Sequence, residues 1–566
     1  MFYAFEGQMG INQANKIKVL LIVPHQDDEI NIAGDLLDRN IISPFVVFTT
    51  NGDYKYQGAT RIKEAINSLS VFNVPENHIF FLGYGDSLNT NKHQHIFYSY
   101  DIIKSHAGHI CTYGIPTHED YSYQVYKKHH DYTRKSYEKD MLSLILQIKP
   151  DVIFCVDYDV HADHRMASII FEKIIGTLLN KMKTEFTPIV YKGFAYATGY
   201  NTIDDFYNLN LLAVQFPHEG IIPHYYAKND LLNKSAYLWC NRVRFPVNKE
   251  NRGHFLLNNS IFHALCCHKS QSAGLHACQI INSDKVFWQR RTDSCSYYAD
   301  VKVSSNFLDA HYLNDFQLYN TDDIDSEVPA FNHYAWIPDE NDEEKKITFT
   351  WDEYQDVQRI VLYGLLDQDI HIHQVEIEFD DGEKIKAGPI PDKGVPLIID
   401  LKKNIRIKWC SIKILKTDGK GGLAECEFYA TERQKNNPIA PFIKILVQDN
   451  FIYEYLVPET INQLQLKVYY FECQGKASFE IIGNPCGAKI SKNGILDIDH
   501  LTNKITVKAY LNDHPDIQDI VTIAKVTKWK IKKIHFMQRV EKVFLTFLLR
   551  LNRKYIYLRK KYINDI

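Results

Sequence analysis

Val23-Pro24-His25-Gln26-Asp27-Asp28-Glu29 follows directly on the apolar run Ile17 to Val23. A β-branched run of that length reads as a buried parallel strand, and in open α/β sheets ligands gather at the carboxyl ends of such strands. The acidic cluster therefore falls where a site belongs. One His and two Asp within four positions offer imidazole nitrogen and carboxylate oxygen to a borderline cation and leave one carboxylate over for proton transfer. The plainer reading is a helix N-terminus, where Asp and Glu favour the dipole. It accounts for Asp28 and Glu29 and leaves His25 unexplained.

A second cluster, Val160-His161-Ala162-Asp163-His164-Arg165, follows another buried-strand run, Asp151 to Val156. Two strand-end clusters of His and Asp, far apart in the chain, are what a site assembled across a parallel sheet requires. Together, PHQDDE and HADH resemble the PIG-L/LmbE family of metal-dependent de-N-acetylases, whose pattern is a (P/A)HPDDE box and a distant HxDH box. Gln26 stands where the family usually has Pro, outside the metal-binding positions. The resemblance implies that His25, Asp28 and His164 bind one divalent metal, Zn2+ first with other divalent metals open. It gives Asp27 the role of general base, His161 that of meeting the charge on a tetrahedral oxygen, and Asp163 that of orienting a His. Whether Asp27 or His161 protonates the departing amine stays open. Arg61 and Asn51 are expected to face substrate. For Arg61 the competing reading is a surface ion pair with Glu64, worth a few tenths of a kcal/mol.

The 566 residues exceed one core, so several domains are expected. With 45% hydrophobic and 24% charged residues and a net charge of -4, the composition is that of a soluble protein and gives no ground for a nucleic-acid partner. The 36 Tyr and 31 Phe are useful for stacking on sugars, although any single one is more simply core material. Eleven scattered Cys fit reduced thiols better than a disulfide framework. Met1 to Lys18 lacks the charged and apolar regions of a signal peptide, and no stretch reaches the roughly 18 apolar residues of a membrane span. A cytoplasmic protein is expected.

After the first box the pattern predicts a helix over Ile30 to Leu37 and a strand over Pro44 to Phe48 that ends in Thr50-Asn51-Gly52-Asp53. A helix then carries Ile62, Ala65, Ile66 and Leu69 on one face, and a third strand, His78 to Leu82, runs into Gly83-Tyr84-Gly85-Asp86. Residues 89–130 read as a long Tyr- and His-rich loop at the site's end of the sheet. A helix from Tyr137 to Ile148 leads into the strand of the second box. The alternation predicts a Rossmann-like, doubly wound, mostly parallel α/β sheet. Between 200 and 300, Cys266, Cys267, His268, His276 and Cys278 match no common zinc spacing. The preferred reading has His268 to Gln271 complete the catalytic domain, since a late Ser-Gln motif occurs in the resembling family; Val286 to Thr292 looks like that domain's end.

From about Val301 helical periodicity gives way to alternation in Ile347 to Trp351, Val375 to Phe379 and Ile405 to Ile407, with Asp381-Gly382 as a hairpin signal. With Ser304-Ser305, Trp336, Arg359 to Tyr363 and Gly422 to Glu425, the stretch resembles discoidin-like, galactose-binding-like jelly rolls. Beyond a linker at Arg433 to Pro438, the strands Ile443 to Val447, Leu464 to Val468 and Ile505 to Val507 fit an immunoglobulin-like sandwich. The expected division is 1–300 deacetylase, 301–433 jelly roll, 438–526 immunoglobulin-like sandwich and 527–566 tail. The tail interleaves about a dozen Lys and Arg with apolar residues at helical spacing. A basic amphipathic helix of this kind can lie on an anionic membrane, the reading taken here, which would hold the protein peripherally on the membrane's inner face. Packing on the preceding domains and self-association are the alternatives.

The leading expectation is a hydrolase that frees acetate from an N-acetylated sugar in a glycan or glycolipid precursor, with carbohydrate or glycolipid as partner. A relative cutting another amide, such as a thiol-sugar conjugate, is the second. A non-catalytic sugar-binding scaffold is the third, disfavoured because binding alone has no use for Asp27.

Overall fold

The structure is a computed structural model that describes residues 16–38, 42–87, 95–159, 161–195, 243–245, 251, 255–271, 273, 285–318, 334–365, 371–391, 395–419, 421–432, 434, 442–448, 450–451, 454–471 and 473–563. Residues 200–260 set the pocket together with 89–130 on the sequence reading; most of 200–260, with His276 and Cys278, lies outside the described residues.

The first sheet has seven strands in the order β3-β2-β1-β4-β5-β7-β6. They are β1 (Ile17–Val23), β2 (Ile42–Thr50), β3 (Ile79–Tyr84), β4 (Val152–Val156), β5 (Ile189–Gly193), β6 (Val243–Phe245) and β7 (Lys285–Arg290). The first five are parallel, and β7 and β6 close the far edge antiparallel. Val19 to Val23 on β1 are buried on both faces, which is why the run shows no alternation. Growth of the sheet reverses between β1 and β4. That reversal opens a crevice at the carboxyl ends of the two strands, and both sequence boxes follow them.

The helix expected over Ile30 to Leu37 is broken. α1 (Asp28–Ile32) stops before Gly34, which sits at φ +52°, and a 3-10 turn, Gly34–Leu37, follows. α2 (Gly58–Ser70), α3 (Tyr121–Tyr126) and α4 (Arg134–Ile148) come next. α4 starts three residues earlier than its apolar face suggested because Thr133 caps it, its Oγ1 accepting from Ser136 N at 3.1 Å. α5 (Ala162–Met182) is buried along most of its length. A methyl at Gly176 would collide with the Asp315 backbone, and Asn180 donates to the Tyr297 carbonyl at 2.9 Å, so chain from beyond the first sheet covers its outer side. α6 (Ser260–Cys267) packs near α2 and leads to His268.

The second sheet joins β8 (Asp300–Val303), β9 (Lys346–Gly364), β10 (Ile372–Phe379), β11 (Lys384–Ala387), β12 (Leu397–Thr417) and β13 (Leu423–Tyr429), all antiparallel. The long strands β9 and β12 pair with two register shifts, bends that let one strand serve two faces. Asp381-Gly382 makes the expected hairpin, with Gly382 at φ +84°. Trp336 is fully buried and donates to the Ser305 carbonyl.

A third core is shared by two sheets, β15-β14-β17-β20-β19 and β16-β22-β21-β18. These strands are β14 (Phe442–Val447), β15 (Asn450–Phe451), β16 (Glu454–Pro458), β17 (Gln463–Phe471), β18 (Ala477–Ile482), β19 (Lys489–Ile490), β20 (Ile495–Asp497), β21 (Ile505–Leu511) and β22 (Gln518–Val526). Gln434, expected in a free linker, is buried instead and donates to the Thr187 carbonyl at 2.9 Å. The tail forms one helix, α7 (Lys528–Ile563). Among the described residues no helix is long and apolar enough to cross a membrane.

Candidate active site

The strand ends at the crevice carry the site. His25 Nε2 lies 3.1 Å from Asp163 Oδ2 and 3.5 Å from Asp86 Oδ1, while His164 Nδ1 lies 2.7 Å from Asp159 Oδ2. An ionised carboxylate only accepts, so those ring nitrogens carry the protons. In neutral rings the opposite nitrogens, His25 Nδ1 and His164 Nε2, are then bare, and they face each other at 3.2 Å. Asp28 Oδ2 completes the triangle at 3.2 Å from the first and 3.1 Å from the second. Asp28 Oδ1, fully buried, has no hydrogen-bond partner among the described residues.

Three electron pairs aimed at one point repel unless a positive charge sits among them. Ligand atoms at Zn2+ distances and tetrahedral angles stand about 3.3 Å apart, so the donor set fits a divalent cation. The charge pattern agrees. Burial works against the cation on His164, yet Asp159 and Asp28 hold its pKa up at about 10, and burial likewise fails to offset Asp86, Asp163 and Asp28 at His25. The carboxylates that hold a proton there would hold a metal in its place. Burial also acts against the charge of Asp28, but His164 and His25 keep its carboxyl well below the usual range.

Asp27 and His161 are the accessible members. The Asp27 side chain is 20% exposed, against 0 to 7% for Asp28, Asp86, Asp159 and Asp163. Burial first, then the neighbouring Asp28 charge, push its pKa up to about 6, while Arg61 at 3.5 Å and His268 oppose the rise. Its backbone is strained at φ 133°, a conformation costing about 1–3 kcal/mol in a residue other than Gly. The N–H donation to Glu29 Oε2 at 2.7 Å holds it there, with the Asp27 carbonyl accepting from Ile30 and Asn31. His161 is the extended N-cap of α5, its Nδ1 accepting from Asp163 N at 3.2 Å. Its Nε2 is left as the donor of the neutral ring. Burial and the nearby His25 and His164 lower its pKa to about 4, and its ring lies 4.4 Å from that of His25.

Arg61 is 4% exposed and is no surface ion pair. It donates to the carbonyls of Gly52 and Gln26 and to Gln271 Oε1, at 3.0, 2.7 and 2.6 Å. Glu64 instead accepts from Ser270 N and Oγ. His268 bonds Glu29 at 2.7 Å. The segment His268 to Gln271 thus closes the wall behind the first box. Gly52, at φ +62°, is required by close approach, since a methyl there would strike the Arg61 guanidinium. Asn51 spends its amide on the Tyr113 and Gly83 carbonyls and braces the ends of β2 and β3. Asp163 Oδ2 lies 3.1 Å from His25 Nε2, and Asp163 also takes His95 Nε2 at 3.2 Å and Ser87 N at 3.0 Å. Sequence reasoning missed Asp159, Asp86, Glu29 and His95. The first two end β4 and β3, so the strand-end rule that marked the boxes marks them too.

Residues 20–175 match the family model described as PIG-L, GlcNAc-PI de-N-acetylase. This stretch is a PIG-L de-N-acetylase domain. The PIG-L domain thus takes in both boxes, the four parallel strands β1 to β4 and most of α5. Residues 298–429 match a second family model, DUF7402, a domain of unknown function. No curated protein matches the chain. Among solved structures, the CBM32-6 module of a GH89 protein produced by Clostridium perfringens is 19% identical, with 23% of this chain and 92% of that chain covered and a TM-score of 0.16. The family 32 module of C. perfringens NanJ, solved with galactose, is 12% identical over 23% and 90%, with a TM-score of 0.18. A fucose-binding module of Streptococcus pneumoniae is 14% identical over 25% and 98%, with a TM-score of 0.19.

Proposed function

We propose that the PIG-L domain hydrolyses the acetamide of an N-acetylated sugar, of the N-acetylglucosamine type, in a glycan or glycolipid precursor, and that it works with one divalent metal, Zn2+ first. The observation that carries this reading is the convergence of His25 Nδ1, Asp28 Oδ2 and His164 Nε2 beside two accessible groups of opposite duty. A divalent cation held by those three atoms supplies Lewis acidity toward a carbonyl and a water. Asp27, ionised above about pH 6, takes the proton of the attacking water. His161, neutral and with Nε2–H free of its capping bond, donates to the oxygen that becomes negative as the acetamide carbon turns tetrahedral. The proton on Asp27 is then available to the departing amine. Arg61 fixes the Gln26 and Gly52 carbonyls and so the position of Asp27, which makes it a positioning residue.

With this reading goes the division into a deacetylase part, a jelly roll at 301–433 that helps hold carbohydrate, an immunoglobulin-like part at 438–526 and the tail. A cytoplasmic setting also goes with it; nine cysteines among the described residues are free thiols, which fits a reducing compartment. The test is to measure bound metal and acetate release together, on purified protein given N-acetylhexosamine glycans and lipid-linked N-acetylated sugars. Acetate release that needs the metal supports the proposal. Metal without release from any of them would move the reaction to another amide, and failure to take up Zn2+ at all would sink it.

A further inference from the structure

Among the described residues, the tail helix α7 meets the rest of the chain along one narrow stripe. Gln538, Glu541 and Leu545 are buried, at the three- and four-residue spacing of one helix face. Leu545 joins the core of the first sheet, and the Glu541 carboxylate accepts from Leu256 N at 3.1 Å and Leu257 N at 3.0 Å. On the opposite side the helix presents Trp529, Phe536, Val540, Val543, Phe547 and Leu551, which are 48 to 70% exposed. At about 1.5 Å per residue this stripe is about 33 Å long. Soluble chains rarely leave so long a contiguous apolar surface to water.

Charge says what covers it. Between the docked stripe and the apolar one run Lys528, Lys532, Arg539 and Arg550, all exposed. Glu541 is the single acid of α7, and it points inward, its charge taken up by the two amides. A second copy of the helix laid on this face would bring cations against cations with no outward acid to pair them. A surface with an apolar interior and anionic headgroups matches both stripes at once.

We propose that α7 lies in the interface of an anionic lipid bilayer, apolar stripe inward, and holds the PIG-L domain on the membrane through the Glu541 and Leu545 contacts. The attachment does not depend on what the catalytic site hydrolyses.

The test uses the full chain and sucrose-loaded vesicles, of phosphatidylcholine alone or with about 30% phosphatidylserine. The protein is expected to pellet with the anionic vesicles and to be released by salt, as screening requires. Val543→Glu with Phe547→Glu, both at exposed positions, should abolish pelleting while leaving the melting temperature and metal uptake unchanged. Arg539→Gln should weaken partitioning about fivefold. Absence of pelleting, or pelleting that the double variant leaves intact, would overturn the proposal. So would a concentration-dependent dimer in sedimentation velocity that the double variant dissolves, since the face would then belong to a second copy.

Discussion

His25 Nδ1 and His164 Nε2 stand 3.2 Å apart, each ring tied at its other nitrogen to a carboxylate of its own. The arrangement is fixed from behind, by Asp163 and Asp159, and what it fixes is a pair of bare lone pairs. Asp159→Asn keeps the shape but weakens the hold on the His164 tautomer. Metal affinity, read by competition with a chelating dye, should fall by about 10–100-fold. His164→Ala should lose both metal and turnover. Unchanged affinity in Asp159→Asn would mean that the ring is held by packing alone.

Asp27 combines positive φ, partial exposure and a carboxyl pushed up to about 6. Strain of this kind persists only where the surroundings impose it. Asp27→Gly removes the strain with the carboxylate, so it should raise stability by about 1 kcal/mol while lowering kcat by about 10²–10⁴. Asp27→Asn, which keeps a branched side chain at the same φ, should bind metal normally and lose turnover without the gain in stability. Normal activity in Asp27→Asn would remove Asp27 as the base.

The pH profile follows from the same group. A base works ionised, so kcat/KM should fall as pH drops through about 6. The Arg61 charge, 3.5 Å away, favours the ionised form. Arg61→Gln therefore moves the acid limb to higher pH. A smaller kcat with an unmoved limb would show that Arg61 acts only by holding the Gln26 and Gly52 carbonyls.

Much of this site was legible before the fold was known, because a strand end followed by His and Asp is a local signal. Four of the five parallel strands and the position of both boxes came from apolar runs of ordinary length; β5 (Ile189–Gly193) was not singled out. The capping role of His161 was not legible, since HADH reads equally well as a helical turn and only the extended φ/ψ of the N-cap separates the two. Glu64 looked like the partner of Arg61 because an i,i+3 pair is the local solution; Ser270, over two hundred residues on, outcompetes it with two hydrogen bonds. The tail periodicity showed an amphipathic helix, but not that Gln538, Glu541 and Leu545 form its inner face. That face depends on a long-range contact with Leu256 and Leu257.

A buried acidic knot joins the first sheet to the second. Glu425 and Glu427 on β13 and Asp315 face Arg290 of β7, with Glu172 of α5 close by. Neither carboxylate oxygen of Glu425 has a hydrogen-bond partner among the described residues. Burial, then the charges of Asp315 and Glu427, push its carboxyl well above the usual range, and burial raises Asp315 as well. The folded protein therefore holds protons that the unfolded chain releases once pH passes the ordinary carboxylate range near about 4. Where the native state binds more protons, stability falls as pH rises. The junction should be firmest at mildly acidic pH and loosen toward alkaline pH. Thermal melts across that range should show the decline, and Glu425→Gln, which cannot ionise, should flatten it and raise the melting temperature at pH about 8 by a few degrees. An equally steep decline in Glu425→Gln would place the titrating proton elsewhere.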